Sequence, residues 1–316
     1  MAKENRHGRV QEHSRYLALS KLYSRESMST STGPASPIGV FDSGIGGISV
    51  LRALHAELSL ERFVYVADAG HAPYGERDDA YLMARAHAIT HYLIEQHAIK
   101  ALVVACNTAT AAAIRELRQT YSDLPIVGIE PALKPAAAAS KTGVIGVMAT
   151  RGTLNSEKFG NLLKSLHGAA TFVLQPCDGL ADAIEHDDAI KIEALCAQYT
   201  RAMGTFGLKF SEMDTLVLGC THYPFIAEQL SRSVGADVIH LEGGAPVARQ
   251  TRRLLAERRA LAEEPTPSQA HAHRLAFFST GDANALATAA LRWMGENIGA
   301  QAINIPNLHV AKGLVC

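Results

Sequence analysis

Two cysteines stand in closely similar settings. Cys106 closes the run LVVAC and is followed by Asn107 and Thr108, while Cys220 closes LVLGC and is followed by Thr221 and His222. A cysteine within a core behaves as a small inert hydrophobe, and that reading suits Cys177, Cys196 and Cys316. A thiol that ends an apolar run among hydrogen-bonding side chains is placed to ionise and to exchange a proton or attack a ligand. The five cysteines are an odd number and none forms a C-x-x-C pair. Neither a disulfide framework nor a thiolate zinc site is expected, and a reducing, cytoplasmic setting is.

Other residue types around these thiols suit an anionic ligand. In FDSGIGGIS, Asp42 and Ser43 precede a glycine turn whose backbone amides could line an anion pocket at a helix start. The dinucleotide pattern G-x-G-x-x-G is incomplete, because Gly44 and Gly46 are followed by Ser49 at its last position. Asp68 would then be the ribose ligand, which defines a second reading of the chain as a non-catalytic nucleotide or amino-acid sensor that binds NAD or a similar ligand. The turn Pro73-Tyr74-Gly75 offers amides and the Tyr74 hydroxyl to a ligand carboxylate. His87 and His91 are four apart on a helix pattern, but Ala88 replaces the glutamate of H-E-x-x-H, so solvated helix histidines are expected rather than zinc ligands. His271 and His273 fall in the polar loop PTPSQAHAH. Arg249, Arg252, Arg253, Arg258 and Arg259 read as the wet face of a helix.

The elements that must position these groups alternate. Short apolar runs, namely IGVF, FVYVA, ALVVA, PIVGI, VIGVM, TFVL, TLVLG, DVIHL and LAFFS, are separated by amphipathic stretches such as DDAYLMARAHAITHYLIEQH and RRLLAERRALAEE. Nearly continuous apolar strands imply parallel sheets covered on both faces, and the alternation is that of an α/β fold. Asp78 or Asp79 can cap the first of these helices. The chain also resembles itself, since IGVFDSGIGG aligns with IGVMATRGT and LVVACNTA with LVLGCTHY. Two copies of one α/β unit would put two sets of strand ends, and two thiols, across one crevice, and strand ends are where open α/β sheets bind ligands. LAFFSTGD is expected to return to the first unit.

Composition sets the outer limits. No stretch reaches the roughly 18 uninterrupted apolar residues of a membrane span, and a net charge of -1 over 316 residues offers nucleic acid no global attraction. Residues 1–37 hold six Lys/Arg against three Glu and end in a Ser/Thr/Gly/Pro tract, the composition of a disordered extension. The expected organisation is that extension, a first α/β domain of residues 38–132 plus 243–316, and a second of residues 133–242.

FDSGIGGISVLRAL, ADAGHAPYGER, ACNTATA, GIEPALKPA and GCTHYPF, in that order, closely resemble the signatures of the glutamate racemase branch of the aspartate/glutamate racemase superfamily, over about residues 38 to 282. The resemblance implies two pseudo-symmetric doubly wound domains with the active site between them. It also implies cofactor-independent, metal-free inversion of glutamate by a pair of cysteines, supplying D-glutamate for peptidoglycan precursors. One base cannot easily reach both faces of an α-carbon, so one thiolate removes a proton while the opposite thiol returns one. By that resemblance Cys106 deprotonates the D enantiomer, assisted by Asp42, and Cys220 the L enantiomer, assisted by His222 and a glutamate matched to Glu185. Substrate contacts carried over are Ser43, Pro73, Tyr74, Gly75, Asn107, Thr108, Thr150, Thr153 and Thr221. The implied partner is the small-molecule substrate, with a homodimer in keeping with the family and no nucleic-acid or membrane partner. Aspartate or hydantoin racemisation, with the same thiols and a different pocket, is the neighbouring alternative.

Overall fold

The structure is a computed structural model that describes residues 32–264 and 274–307. Residues 1–31, the loop carrying His271 and His273, and Cys316 lie outside the described residues. The first series of elements is β1 (Ile38–Asp42), α1 (Ile48–Glu57), β2 (Phe63–Ala67), α2 (Asp79–His97), β3 (Ala101–Val104), α3 (Asn107–Thr120), β4 (Ile126–Gly128) and α4 (Leu133–Ala139). The second is β5 (Val144–Ala149), α5 (Arg151–Asn155), α6 (Glu157–Lys164), β6 (Thr171–Pro176), α7 (Leu180–Glu185), α8 (Ala189–Met203), β7 (Thr215–Gly219), α9 (Ala227–Val234), β8 (Ile239–Leu241) and α10 (Gly244–Glu257). The chain closes with β9 (Leu275–Ser279), α11 (Ala283–Met294) and β10 (Ala300–Ala302).

These strands form two parallel sheets, one of six strands in the order β10-β9-β2-β1-β3-β4 and one of four in the order β6-β5-β7-β8. The order β2-β1-β3-β4 is repeated as β6-β5-β7-β8, so the self-similarity seen in the sequence corresponds to two sheets wound the same way. In each, the chain leaves the central strand first to one side and later to the other. The crevice at that reversal, outside the carboxyl ends of the strands, is the natural ligand site of such a sheet.

Every residue of β1, β2, β3 and β7 is buried, which accounts for their unbroken apolar runs. Phe41, Ile38 and Phe277 are at most 1% exposed, and each contributes on the order of 1.5–3 kcal/mol by leaving water. β6 is a half-exposed edge strand. All nine apolar runs become strands, whereas β10 has only the sequence AQA at a sheet edge and carried no apolar signal.

Two local expectations need correction. The pattern RRLLAERRALAEE continues to residue 264, yet α10 ends at Glu257. Arg259 adopts a left-handed φ of 53°, and tertiary bonds then hold the chain out of the helix, with Lys100 donating to the Ala260 carbonyl and the Ala262 amide donating to Glu61. His87 is not a solvated helix histidine. It is buried against Tyr121, and burial drives its imidazole down to about 4. Asp78, rather than Asp79, caps α2 by accepting the Tyr81 amide. The five arginines of the α10 region are exposed, as expected of a wet face.

Candidate active site

Cys106 and Cys220 line one cavity of about 350 Å³, reached from opposite sheets. Cys106 lies just beyond β3 and is the N-cap of α3, where its Sγ accepts the Ala109 amide at 3.4 Å. Cys220 follows β7 directly and precedes a short 3-10 turn, Tyr223–Ile226. Ser43, Pro73, Tyr74 and Gly75 from the first sheet's loops share this wall with Asn107 and Thr108 at the start of α3. Thr150, Glu185, Thr221 and His222 complete it from the second sheet. Asp42 and Thr153 sit one layer behind the wall, at 0% and 2% exposure.

The Cys220 side is a hydrogen-bonded line. His222 Nδ1 is 3.7 Å from Cys220 Sγ, and its Nε2 is 2.7 Å from Glu185 Oε2. Burial opposes charge on the His222 ring, but the bonds and charges of Cys220 and Glu185 outweigh it and hold the imidazole well above its usual value. Burial likewise works to raise Glu185, yet His222 and the Ile45 amide keep it below the ordinary carboxylate value. An imidazolium that can donate to a sulfur, held by a carboxylate, is the arrangement a thiolate base requires.

The Cys106 side is arranged differently. Burial first, and then the neighbouring Asp42 charge, drive the Cys106 thiol well up, against the lowering effect of the Ala109 amide. Asp42 is itself raised by burial; its Oδ2 accepts the Gly47 amide at 2.6 Å, while its Oδ1 has no hydrogen-bond partner. An ionised Asp42 therefore disfavours a Cys106 thiolate. A carboxylate whose pKa burial has raised is the stronger base, a property suited to accepting a proton from a neighbouring thiol.

Between the thiols lies a polar floor. Thr150 Oγ1 is 3.0 Å from the hydroxyls of Thr108 and Thr153, which ties the start of α3 to the end of β5. Asn107 lines the cavity at 5% exposure, and its Oδ1 is buried without a hydrogen-bond partner.

Three sequence-based expectations are revised here. The amides of the glycine turn do bind carboxylates, but these are the protein's own: Ile45 donates to Glu185 at 3.0 and 3.2 Å, and Gly47 to Asp42. Asp68 cannot serve a ribose, because it is fully buried and accepts from Arg85 at 2.7 and 2.9 Å, from Tyr74 at 2.5 Å and from Thr280 at 2.9 Å. The Tyr74 hydroxyl is thereby spent on Asp68, so any ligand contact from that turn comes from its ring edge or backbone. Together these remove the physical basis for dinucleotide binding.

Sequence reasoning missed Arg151 and Asp178, which pair at 2.5 Å in the cavity wall with both side chains at least half exposed. Arg151 lies inside ATRGT, where the flanking threonine hydroxyls are the stronger signal, and no motif surrounds Asp178. Cys177 is buried, as expected of an inert thiol, and its burial pushes it up, although it also lines the cavity. Among the described residues no group of three or more His, Cys, Asp or Glu side chains is set to hold a metal ion, and no helix is long and apolar enough to cross a membrane.

Fold and site define a two-sheet α/β enzyme whose acid–base groups converge on a cleft from both halves. The family model for Asp/Glu/hydantoin racemases matches residues 38–245. A glutamate racemase of Pseudomonas putida (strain W619) is 46% identical over 254 residues, covering 80% of this chain and 91% of that protein. The glutamate racemase of Ectopseudomonas mendocina is 48% identical over 250 residues, with coverage of 78% and 90%. Among solved structures, a glutamate racemase isoform of Bacillus anthracis superposes with a TM-score of 0.74 at 30% identity over 86% of this chain and 98% of that one. The Escherichia coli glutamate racemase, solved with L-glutamate and the activator UDP-MurNAc-Ala, does so with a TM-score of 0.70 at 27% identity over 86% and 99%. The chain belongs to the Asp/Glu/hydantoin racemase family and, within it, to the glutamate racemases.

Proposed function

We propose that the protein interconverts L- and D-glutamate by two-base proton transfer between Cys220 and Cys106, supplying the D enantiomer for peptidoglycan precursors in the cytoplasm. The observation that carries this reading is that one thiol from each half lines a single small cavity. In the L-to-D direction, Cys220 as thiolate takes the α-proton and becomes a thiol. The electron pair left on the α-carbon is delocalised into the α-carboxylate. The Cys106 thiol then delivers its proton to the opposite face, and the C–H bond formed replaces the one broken.

The electrostatics suit this starting direction, with Cys106 raised into its thiol form and an imidazolium beside Cys220. Reversal requires Cys106 to lose its proton, and Asp42, lifted by burial, is the group suited to accept it. Hydroxyls of Ser43, Thr108, Thr150 and Thr221, with the backbone of the Pro73–Gly75 turn, are assigned to the two substrate carboxylates. The Asn107 side chain, which lines the cavity, is assigned to the ammonium group.

The deciding experiment incubates the protein with L-glutamate in heavy water, with chelator present and no cofactor added. Deuterium is expected at the α-carbon together with D-glutamate. No exchange above a no-enzyme control would end the proposal, and faster turnover of L-aspartate than of L-glutamate would move the substrate to the neighbouring class.

A further inference from the structure

We infer that residues 44–49 are a positioning element for the proton relay of the opposite half: the Ile45 amide, between side-chain-free Gly44 and Gly46, and the Ser49 hydroxyl set the line from Glu185 through His222 to Cys220. The segment belongs to the first sheet, being the turn from β1 into α1, yet its contacts reach across the cleft. Ile45 donates to both oxygens of Glu185, at 3.2 and 3.0 Å. The Ser49 hydroxyl lies 2.8 Å from both the Thr221 carbonyl, between Cys220 and His222, and the Gly46 carbonyl, with its one proton shared between the two acceptors.

The glycines are required by approach distance. A Cβ on Gly44 would lie 2.5 Å from the Glu185 carboxyl carbon, and one on Gly46 would lie 2.6 Å from His222 Cε1 and 2.8 Å from Thr221 Oγ1. Ordinary contact starts near 3.4 Å, so a methyl at either position displaces a relay group by most of an ångström. Tyr65 supports the turn from below, its buried hydroxyl donating to the Gly44 carbonyl at 2.6 Å.

The consequence is that the second thiol's helpers are held by the half that carries the first thiol. Groups facing His222 are Cys220 at the end of β7, Glu185 at the end of α7, and Asp42 at the end of β1, whose pKa the His222 charge lowers. The turn's amides hold both carboxylates, Gly47 that of Asp42 and Ile45 that of Glu185, but only Glu185 is bonded to the ring, so loosening the turn at Ile45 frees a carboxylate that helps to keep the ring charged.

The test compares Gly44→Ala and Ser49→Ala with the parent, using Gly160→Ala, whose added methyl meets nothing within 4 Å, as the control. Two quantities are read: kcat and KM for glutamate, and the midpoint of the His222 ring titration by NMR, assigned through the signal lost in His222→Gln. Gly44→Ala is expected to lower kcat by about 100-fold, the scale of a 1 Å misplacement, with little change in KM, and to move the His222 midpoint down toward the ordinary imidazole value. Ser49→Ala is expected to move both in the same direction by less, and Gly160→Ala neither. An unchanged His222 midpoint in both test variants overturns the inference. If Gly44→Ala does not fold, the midpoint in Ser49→Ala decides. Only the kinetic arm rests on the glutamate reading: a parent that fails to racemise glutamate defeats that reading, while the ring titration still decides the role of the turn.

Discussion

Cys106 and Cys220 are 5% and 7% exposed, and serine has nearly the same shape, so Cys→Ser at either position removes the chemistry with little disturbance of packing. Each variant is expected to lose at least about 100-fold in kcat in both directions, the lower bound of what a positioned acid or base contributes. Thermal melting should remain near that of the parent. A Cys106→Ser enzyme with full activity would exclude the two-thiol scheme. The His222–Glu185 pair gives a second, pH-resolved test. His222 is raised in the folded state, so its stabilisation is complete below its unfolded value of 6.5 and fades as pH climbs through the higher folded one. Glu185 is lowered, so its contribution is complete above 4.5 and fades as pH falls through the folded value. The stability lost in Glu185→Gln should therefore be greatest between pH 4.5 and 6.5, at about 2 kcal/mol for a charge-assisted bond, and should shrink on both sides. Urea denaturation of both proteins across pH measures it, and a gap independent of pH would show that the pair is not charged.

At the scale of elements, the turn carrying Pro73, Tyr74 and Gly75 is held by a buried hub rather than by its own sequence. Asp68 receives Arg85 from α2, Tyr74 from the turn and Thr280 from beyond β9, while Arg85 also donates to the Ile305 carbonyl and to Asn307. Arg85→Met leaves Asp68 charged and incompletely paired in a site with no exposure, which should cost about 3–5 kcal/mol. Because the turn lines the cavity, KM for glutamate should also rise; a stable Arg85→Met variant with unchanged KM would show that the turn stands without its hub. This hub was not legible in the sequence. Asp68 and Arg85 are 17 residues apart and no motif joins them; their pairing exists only once α2 packs against β2. The strands, by contrast, were legible because a buried parallel strand must be apolar throughout, and Cys106 and Cys220 were legible because polar residues interrupt those runs at the strand ends. Glu185 fell in between: the resemblance implied a glutamate beside Cys220, but its 2.7 Å bond to His222 depends on how the two sheets face each other.

The two sheets share one winding order, and their strand ends supply one thiol each to a common cavity, so the relative placement of the halves is itself part of the catalytic geometry. Besides the glycine turn, a clasp spans them on the α11 side. Trp293 of α11, which packs on the first sheet, stacks on Phe225 of the second half with ring centroids 4.5 Å apart and planes 14° from parallel. Arg292 lies 4.9 Å over the same indole and pairs with Asp187 at 2.9 Å. Trp293 is the only tryptophan of the chain, so the clasp carries its own optical reporter. Adding racemic glutamate, which turnover cannot alter in composition, should change tryptophan emission saturably if the halves tighten around substrate, and Trp293→Phe should abolish the signal while preserving a stacked ring. An aromatic pair is worth about 0.5–1.5 kcal/mol beyond its buried area, so Phe225→Ala should shift the balance between open and closed halves by roughly 2- to 12-fold, seen as a higher KM. Emission that does not respond to saturating glutamate would mean that the clasp holds the halves at one separation throughout the catalytic cycle, with substrate entering a cleft already formed.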